Sequence, residues 1–544
     1  MPWMKLLRFL GLLGSVVLLA SCTRVGTGAE GGRHAWTRPH VLRIADTAEP
    51  DHFNPLLSTM DLVYDLDSMV FSFLVIANEK GELIGDLATE VPSLRNGGIS
   101  KDGLTYTYHL HRGVKWHDGA PFTSRDVKFT IAAVMNPNNN TLHREAYDQI
   151  TRVDTPDDYT ISVHLRARYA PFVTKFFAPL QEGGKGILPE HLLGKLHDIN
   201  QVPFNSHPIG TGPFKFQSWE RGRRIVLVRN DAYFKGRPKL ERIDYEFLPD
   251  DNVILNAVKT HDIDLVTSAP LNLYDQYKAL PDVAVYLVPW NAQSILPINE
   301  KHPGLGELNV RKAVTMAIDY DAVLRKITHG AGTMPHDIVP EVAVGYTNNP
   351  PYRYDPKGAA ALLDRSGWKL GADGVRSKGG VRLDYVIHIS AGSAIARELA
   401  AVFQQEFKAI GMNLTQKLYP YSIIFSHEGP VYGGKYDFTE YSTTLPYDPD
   451  NLFYVGCDYW FPKGENLYGY CDRQVDAGEK AGRVTVDPAE RSRIYHATEA
   501  RIHETIPWIP LYNIRRPVVR NVDLKYFSTN PSSTPWWNIW QWDI

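Results

Sequence analysis

The sequence predicts an α/β protein that is divided into lobes. Segments with the two-residue alternation of strands and segments with the apolar spacing of helices follow one another along most of the chain. The chain has 544 residues. One hydrophobic core rarely extends over that length, so more than one lobe is expected.

Each predicted element follows from its apolar pattern and from the residues that bound it. Ser124 is the predicted N-cap of the first helix, and Gly411 stands in the usual position just after the end of the fourth. Strands are predicted at residues 41–45, 105–111, 225–228 and 242–247, and helices at 126–135, 310–327, 358–366, 394–410 and 487–504.

The first 21 residues predict a secretory signal peptide. Lys5 and Arg8 precede an apolar run at residues 9–19, which is shorter than the roughly twenty residues of a membrane span. The next residues, 19–22, read Leu-Ala-Ser-Cys and resemble the bacterial lipobox, in which the signal is cut before a cysteine that then receives a lipid. Cys22 is therefore the predicted lipid attachment site, and the alternative is an ordinary signal with a chance cysteine.

The glycine-containing residues 22–37 predict a flexible tether after the lipid. The protein would then be held on the periplasmic or cell-surface side of the bacterial cytoplasmic membrane without being embedded in it. Cys457 and Cys471 complete the cysteine content of three. In an exported protein they lie where disulfides persist, so a disulfide between them is predicted, and two free thiols are the alternative. With these three cysteines assigned, none remains at the spacing expected of zinc ligands.

Composition argues against a nucleic-acid partner. The chain has 58 basic and 61 acidic residues and a net charge of −3, and loss of Lys5 and Arg8 with the signal makes 56 against 61, or −5. No segment has the basic clustering of a nucleic-acid footprint. The 29 tyrosines and 12 tryptophans are compatible with a cleft lined by rings, although large cores also use rings.

The sequence lacks the enzyme signatures of a P-loop, an HExxH helix and a GxSxG elbow. His109, His111 and His117 form a histidine cluster, and two of them would share one face of a strand. Without a cysteine or acidic partner on that face, solvated histidines are favoured over a metal site. We therefore predict no enzymatic activity, no metal and no cofactor.

Several stretches resemble the family 5 bacterial extracellular solute-binding proteins, which include the oligopeptide- and dipeptide-binding subunits of ABC importers. The most recognisable stretch is residues 87–127, with the segments LATE, SKDGLTYT, LHRGVKWHDG and TSRDV. Shorter resemblances follow in the family's order at residues 210–214, 230–238, 310–319, 354–368 and 507–512. Each is weak alone, but together they extend over nearly the whole mature chain.

The resemblance implies a periplasmic-binding-protein type II fold, in which two lobes close about a hinge and an extra domain sits on the N-terminal lobe. It implies a monomeric substrate-binding subunit that captures peptides or peptide-like solutes and delivers them to ABC permease and ATPase subunits. Hinge crossings are expected near residues 288–291 and 507–512. The implied division is lobe I at 38–72, 208–288 and 508–544, the extra domain at 73–207, and lobe II at 289–507.

The resemblance also implies a set of ligand contacts, although each ring among them could equally be core. They lie after the first strand, at the hinge and on lobe II. The residues are Glu49, Asp51, Phe53, Trp290, Asn291, Tyr441, Thr443, Leu445, Tyr447, Asp448 and Tyr512.

Leu445 is the point where this chain departs from the family's peptide binders. They hold the ligand's α-amine with an aspartate shortly before an Asp-Pro-Asp-Asn segment. Residues 448–451 match that segment, but the anchoring position falls on Leu445. A buried ammonium without an acid is costly, so weak binding of free-amine peptides is expected. Alternatively, Asp448 takes the role, or the alignment is shifted by a few residues.

Three other functions compete with peptide capture. The same scaffold could bind a non-peptide solute such as an oligosaccharide, a nickel chelate, glutathione or haem, and Leu445 favours this alternative. An enzyme on this scaffold would release a product in a turnover assay. A folding or sensory lipoprotein without an import role would lack adjoining permease and ATPase genes.

Overall fold

The computed structural model describes residues 33–544 except 59, 142–143, 181–184, 340, 342 and 531–534. Cys22 and most of the predicted tether lie outside these residues, as does the signal peptide. The predicted Cys457–Cys471 disulfide is present, and it closes a loop with a sequence separation of 14.

Strands occur along the whole described chain, and their order shows several crossovers. They are β1 (Val41–Asp46), β2 (Val75–Ala77), β3 (Leu83–Gly85), β4 (Thr105–His109), β5 (Ile150–Asp157), β6 (Thr160–Leu165), β7 (Phe214–Glu220), β8 (Arg224–Arg229), β9 (Arg242–Phe247), β10 (Leu265–Val266), β11 (Val283–Pro297), β12 (Lys369–Leu370), β13 (Arg376–Lys378), β14 (Val381–Arg382), β15 (Asp384–Ser390), β16 (Asn413–Tyr419), β17 (Phe438–Thr439), β18 (Tyr441–Thr444) and β19 (Trp508–Asn521).

The helices alternate with these strands. They are α1 (Asp61–Val70), α2 (Ser124–Met135), α3 (Phe172–Lys175), α4 (Glu190–Leu193), α5 (Asp251–Lys259), α6 (Tyr274–Lys278), α7 (Leu308–Ala317), α8 (Tyr320–Ala322), α9 (Pro356–Arg365), α10 (Ala394–Ala409), α11 (Tyr421–Ile424), α12 (Leu452–Val455), α13 (Arg473–Val484) and α14 (Pro488–Thr505). A π-helical turn, Val323–Ile327, follows α8.

The main sheet is mixed, and it contains strands from both predicted lobes. Its strand order is β18-β11-β19-β10-β1-β9-β8-β7. β1 pairs in parallel with both β9 and β10, whereas β19 pairs antiparallel with β10 and β11. A second sheet, in the order β16-β15-β17, is all parallel, and α10 packs against it. The predicted α/β fold class is therefore confirmed.

Two large hydrophobic clusters form separate cores. The first joins Leu42 and Leu227 of the main sheet to Tyr106 and Ile161 of the predicted extra domain, so this domain shares a core with lobe I. The second cluster contains α7, α10 and β15. Separate cores are the expected arrangement for a chain of this length.

Local signals set several helix ends. Thr123, not the predicted Ser124, is the N-cap of α2: its hydroxyl accepts from the amide of Arg125, and the carboxylate of Asp126 accepts from the amide of Thr123, as in a capping box. The single helix predicted at 310–327 is wrong. α7 ends at Ala317, and the Asp319 carboxylate accepts from the amide of Ala322 and starts a new turn.

The predicted tether ends earlier than residue 37. Arg33 forms an ion pair with Asp543, and the amide of His34 and the hydroxyl of Thr37 both donate to Asp523. The ring of Trp36 stacks on His261 at 3.9 Å between centroids. These contacts fix residues 33–37 on the folded body, which corrects the prediction for that part of the tether.

Candidate functional site

Two long antiparallel strands, β11 and β19, connect the cores. Val285 and Val519 pack with a cluster around α5, whereas Leu296 and Ile509 belong to the cluster of α7 and α10. The regular register stops between the pair Pro289–Arg515 and the pair Gln293–Asn513, where residues 290–292 bulge. A bulge bends a strand and redirects its side chains.

The bulge on β11 lies beside the predicted crossing near 288–291. On β19, Ile509, Leu511 and Tyr512 pack in the second cluster, and Ile514 packs against it. The lobe boundaries at 288 and 508 stay predictions.

The bulge borders a cavity, here named the hinge cavity, that has a volume of about 190 Å³ and is partly open to solvent. Three of the predicted ligand-binding residues, Trp290, Asn291 and Leu445, line it together. The other lining residues are Pro289, Ala292, Thr333, His336, Asp337, Val339, Glu341, Tyr346, Asn513, Ile514 and Arg515. Apolar walls with a few polar groups are typical of small-molecule sites.

Asn291 and Leu445 are locked to each other. The amide of Leu445 donates to the backbone carbonyl of Asn291 at 2.7 Å, and the Asn291 side-chain Nδ2 donates to the carbonyl of Leu445 at 2.6 Å. Both side chains are 6% exposed. The apolar Leu445 side chain therefore occupies a fixed place in the wall of the hinge cavity.

A loop that the sequence did not indicate forms the opposite wall. The backbones of Thr333 and Asn513 exchange hydrogen bonds at 3.1 and 2.9 Å, which attaches the loop to β19. The buried Asp337 carboxylate accepts from the amides of Thr347 and Asn348 and from the Asn349 side chain. These bonds hold the loop in one shape, because a buried carboxylate needs such donors.

A second cavity, here named the lobe I cavity, has a volume of about 470 Å³ and lies at the carboxyl ends of β1 and β10. Open α/β sheets bind ligands in the crevice at this edge. Asp46, Asp65, Asp251 and Arg516 are its charged lining residues. Burial raises the pKa of Asp46, although hydrogen bonds from the backbone of Ala48 oppose this shift.

Trp290 and Arg516 connect the two cavities. The guanidinium carbon of Arg516 lies 3.2 Å from the centroid of the Trp290 ring. Trp290 lines the hinge cavity and Arg516 lines the lobe I cavity. This stacked pair, stabilised as a cation–π contact, stands between the two spaces.

The three residues predicted after β1 do not line either cavity. The Glu49 carboxylate accepts from the indole Nε1 of Trp219 at 2.8 Å and from the amide of Gly222, and so holds the β7–β8 turn. Phe53 is fully buried against Phe216 and Trp219. The ligand contacts of Glu49 and Phe53 stay predictions.

Asp51 has an internal partner as well. Its carboxylate accepts from the hydroxyl of Ser58 at 2.9 Å, but its side chain is 51% exposed. A ligand contact by Asp51 stays a prediction.

Asp448 has an internal cation as its partner. Both of its oxygens accept from Arg491, at 2.6 and 2.9 Å, with side-chain exposures of 2% for Asp448 and 9% for Arg491. In this conformation the acid neutralises a buried cation, and its role as the amine anchor stays a prediction.

Tyr447 also has a structural partner. Its hydroxyl donates to the carbonyl of Gly81, in the predicted extra domain, at 2.5 Å.

The remaining predicted residues lie beside β11. Tyr512 is 3% exposed and packs in the second cluster, and its ligand contact stays a prediction. Tyr441 and Thr443 lie on β18 opposite Ile295 and Gln293. β18 is the last strand of the main sheet in the described chain. Their ligand contacts stay predictions.

One member of the histidine cluster, His117, is buried, and burial lowers its pKa to about 4. Its Nδ1 accepts from the amide of Gly210, and its Nε2 donates to the carbonyl of Gly212. Among the residues that the structure describes, no group of three or more His, Cys, Asp or Glu side chains could hold a metal ion. No helix within that same part of the chain has the length and apolar composition needed to cross a bilayer.

Comparisons with known proteins agree with this architecture. The oligopeptide-binding protein AppA of Bacillus subtilis is 26% identical over 550 residues, which cover 98% of this chain and 97% of the relative. Its crystal structure in complex with a nonapeptide superposes with a TM-score of 0.72, covering 92% of this chain and 98% of that one. NikZ from Campylobacter jejuni, in complex with Ni(L-His), is 27% identical with a TM-score of 0.76, covering 93% and 100%.

A sequence profile of the bacterial extracellular solute-binding proteins, family 5, matches residues 82–461. The match spans more than half of the chain, and it includes the stretch at 87–127 that carried the resemblance. This chain belongs to the family 5 bacterial extracellular solute-binding proteins.

Proposed function

We propose that this protein captures peptides or peptide-like solutes and delivers them to the permease of an ABC importer. The observation that carries the proposal is the hinge cavity, where Trp290, Asn291 and Leu445 meet between the strands that join the two cores. A ligand held there would contact the hinge and lobe II together. Its binding energy would then favour one lobe arrangement over another, as closure of a binding protein requires.

The position of β18 supports a peptide-like ligand. β18 pairs with β11 on one side only, so its outer side offers backbone donors and acceptors to an extended chain. Addition of a peptide to a sheet edge is a common recognition mode. Tyr441 and Thr443 of this strand would then lie next to the ligand.

The cellular placement is part of the same proposal. Cys22 would carry lipid after removal of the signal peptide, and a short tether before Arg33 would hold a monomeric body outside the cytoplasmic membrane. The two separate cores are compatible with the proposed lobe I of 38–72, 208–288 and 508–544, the extra domain at 73–207 and lobe II at 289–507.

A non-peptide solute is the second candidate. Leu445 favours it, because a neutral side chain fills the place of the family's amine-binding aspartate. NikZ, which is similar to this chain, was crystallised with a nickel–histidine chelate. Binding without catalysis is common to both candidates.

Native mass spectrometry of the purified mature protein tests the proposal and separates the two candidates. We expect a bound solute with a peptide-like mass and no metal isotope pattern. Trp290→Ala should release this solute, whereas Trp36→Ala, a matched change outside both cavities, should retain it. Equal retention by both variants, or a failure to bind a mixed peptide pool in calorimetry, would contradict peptide capture.

A further inference from the structure

Asn291, in the wall of the hinge cavity, has a buried acceptor for which the described residues supply no donor. The residue is 6% exposed, and its Oδ1 has no hydrogen-bond partner among the described residues. The side-chain amide cannot be turned around, because Nδ2 donates to the carbonyl of Leu445 at 2.6 Å and an oxygen there would face another oxygen. An unsatisfied buried acceptor is costly. A ligand N–H or O–H would satisfy this one.

The same cavity also contains a cation without a carboxylate partner. The half-buried Arg515 lines it, and no acid of the described residues lies within ion-pair distance of its guanidinium. Asp337 is close by in the lining, but its oxygens accept from Thr347, Asn348 and Asn349. Glu341 is exposed, so water and salt screen its charge. A ligand carboxylate would pair with Arg515 bidentately.

The donor that meets Asn291 does not need a positive charge. The side chain next to Asn291 is Leu445, which is apolar and fixed in place. An ammonium at this point would lose water and gain one neutral acceptor, which does not compensate for the loss. An amide N–H loses less and fits a neutral acceptor beside an apolar wall.

We infer that the hinge cavity selects anionic, N-acylated amino acids or short peptides, with a ligand carboxylate on Arg515 and a neutral amide N–H on Asn291 Oδ1. This inference rests on the proposed capture of peptide-like solutes and names their class. Trp290 and Tyr346 supply aromatic walls for the acyl group and side chain.

Calorimetry with the mature protein and the tripeptide Ala-Ala-Phe in four forms tests the inference. The forms are unblocked, N-acetylated, C-amidated, and blocked at both ends. We expect the N-acetylated acid to bind at least about tenfold more tightly than the doubly blocked form, because the doubly blocked form cannot make the charged hydrogen-bonded pair with Arg515. Methylation of the acetylated nitrogen, which removes the donor, should weaken binding by about the same factor.

Variants locate the carboxylate site. Arg515→Gln should abolish the preference for acid over amide. Arg520→Gln, on the same strand but outside the cavity, is the matched control and should keep the preference. If Arg515→Gln does not fold by circular dichroism, Arg515→Lys, which keeps the charge, should retain the preference for the acid.

The results that would contradict the inference differ in what each of them overturns. Tighter binding of the unblocked peptide than of the acetylated acid would overturn the inferred class and leave peptide capture standing. Equal binding of acid and amide by the wild type would overturn the role of Arg515. Binding of none of the four forms would overturn both the inference and the proposed function.

Discussion

Removal of the Asp448 carboxylate should destabilise the protein strongly. Asp448 and Arg491 form a bidentate pair at 2.6 and 2.9 Å, and their side chains are 2% and 9% exposed. In the Asp448→Asn variant, the guanidinium of Arg491 keeps its hydrogen bond to the carbonyl of Gly482 but loses its buried counter-charge. Breaking one side of such a pair costs about 3–5 kcal/mol, so we expect a loss of about 3 kcal/mol in the free energy of unfolding.

Urea denaturation followed by circular dichroism measures this loss, and a double-mutant cycle identifies its origin. Arg491→Met alone should also be destabilising, because Asp448 then lacks its cation. The combined Asp448→Asn and Arg491→Met variant should be more stable than the sum of the two losses implies, since no buried charge of the pair remains unpaired.

Two results would refute the structural role of Asp448. One is an Asp448→Asn variant within about 1 kcal/mol of the wild type, because an exposed or ligand-facing carboxylate loses no more than that. The other is a selective loss of binding to a free-amine peptide with unchanged stability. That second result would return Asp448 to the role of amine anchor.

Four further predictions follow from the same contacts. Replacement of Cys457 and Cys471 by alanine should lower the free energy of unfolding by about 3 kcal/mol, the loop-closure contribution of a loop of this size, and alkylation with and without reductant should show that both thiols are blocked in the wild type. Leu445→Asp should raise the affinity for unblocked over acetylated peptide in calorimetry, and an unchanged ratio would contradict the assignment of the anchoring position. Burial raises the pKa of Glu440 to about 7, against the opposing bond from Ser294. The native state therefore binds this proton more tightly than the unfolded chain, so stability should fall as the pH rises from below the unfolded pKa through about 7, and Glu440→Gln should flatten this part of a urea-midpoint curve. Cys22→Ser should move the protein from the membrane to the soluble fraction on cell fractionation, and a variant that stays on the membrane would rule out the lipid anchor.

The local sequence pattern correctly predicted those elements in which the spacing of apolar residues matches the spacing of buried positions. β9 and α10 occur at the predicted residues, within one position at each end. The long strand β11 was not predicted, because Pro289, Trp290 and Asn291 interrupt its alternation. Pairing with β19, more than two hundred residues away in the chain, makes this segment a strand. Such distant pairing leaves no signal in a local window of sequence.

The residues of the candidate site could likewise be predicted only in part. Family resemblance indicated Trp290, Asn291 and Leu445, which the structure brings together. It did not indicate Arg515, because an arginine in a strand gives no sign of whether an acid faces it. It assigned Asp448 to the ligand because the partner of Asp448, Arg491, lies 43 residues away on α14. The role of an acidic residue depends on its partner, and the tertiary structure determines which residue that partner is.

The contacts between the extra domain and lobe II show how closure depends on more than the ligand. The amide of Ala170 donates to the carbonyl of Arg483 at 2.8 Å, and the hydroxyl of Tyr447 donates to the carbonyl of Gly81. The extra domain shares its core with lobe I, so these bonds span the two lobes at a distance from the hinge. They stabilise the arrangement in which the proposed lobes touch. Contacts within the protein therefore contribute to the free energy of closing, in addition to the contacts that a solute makes.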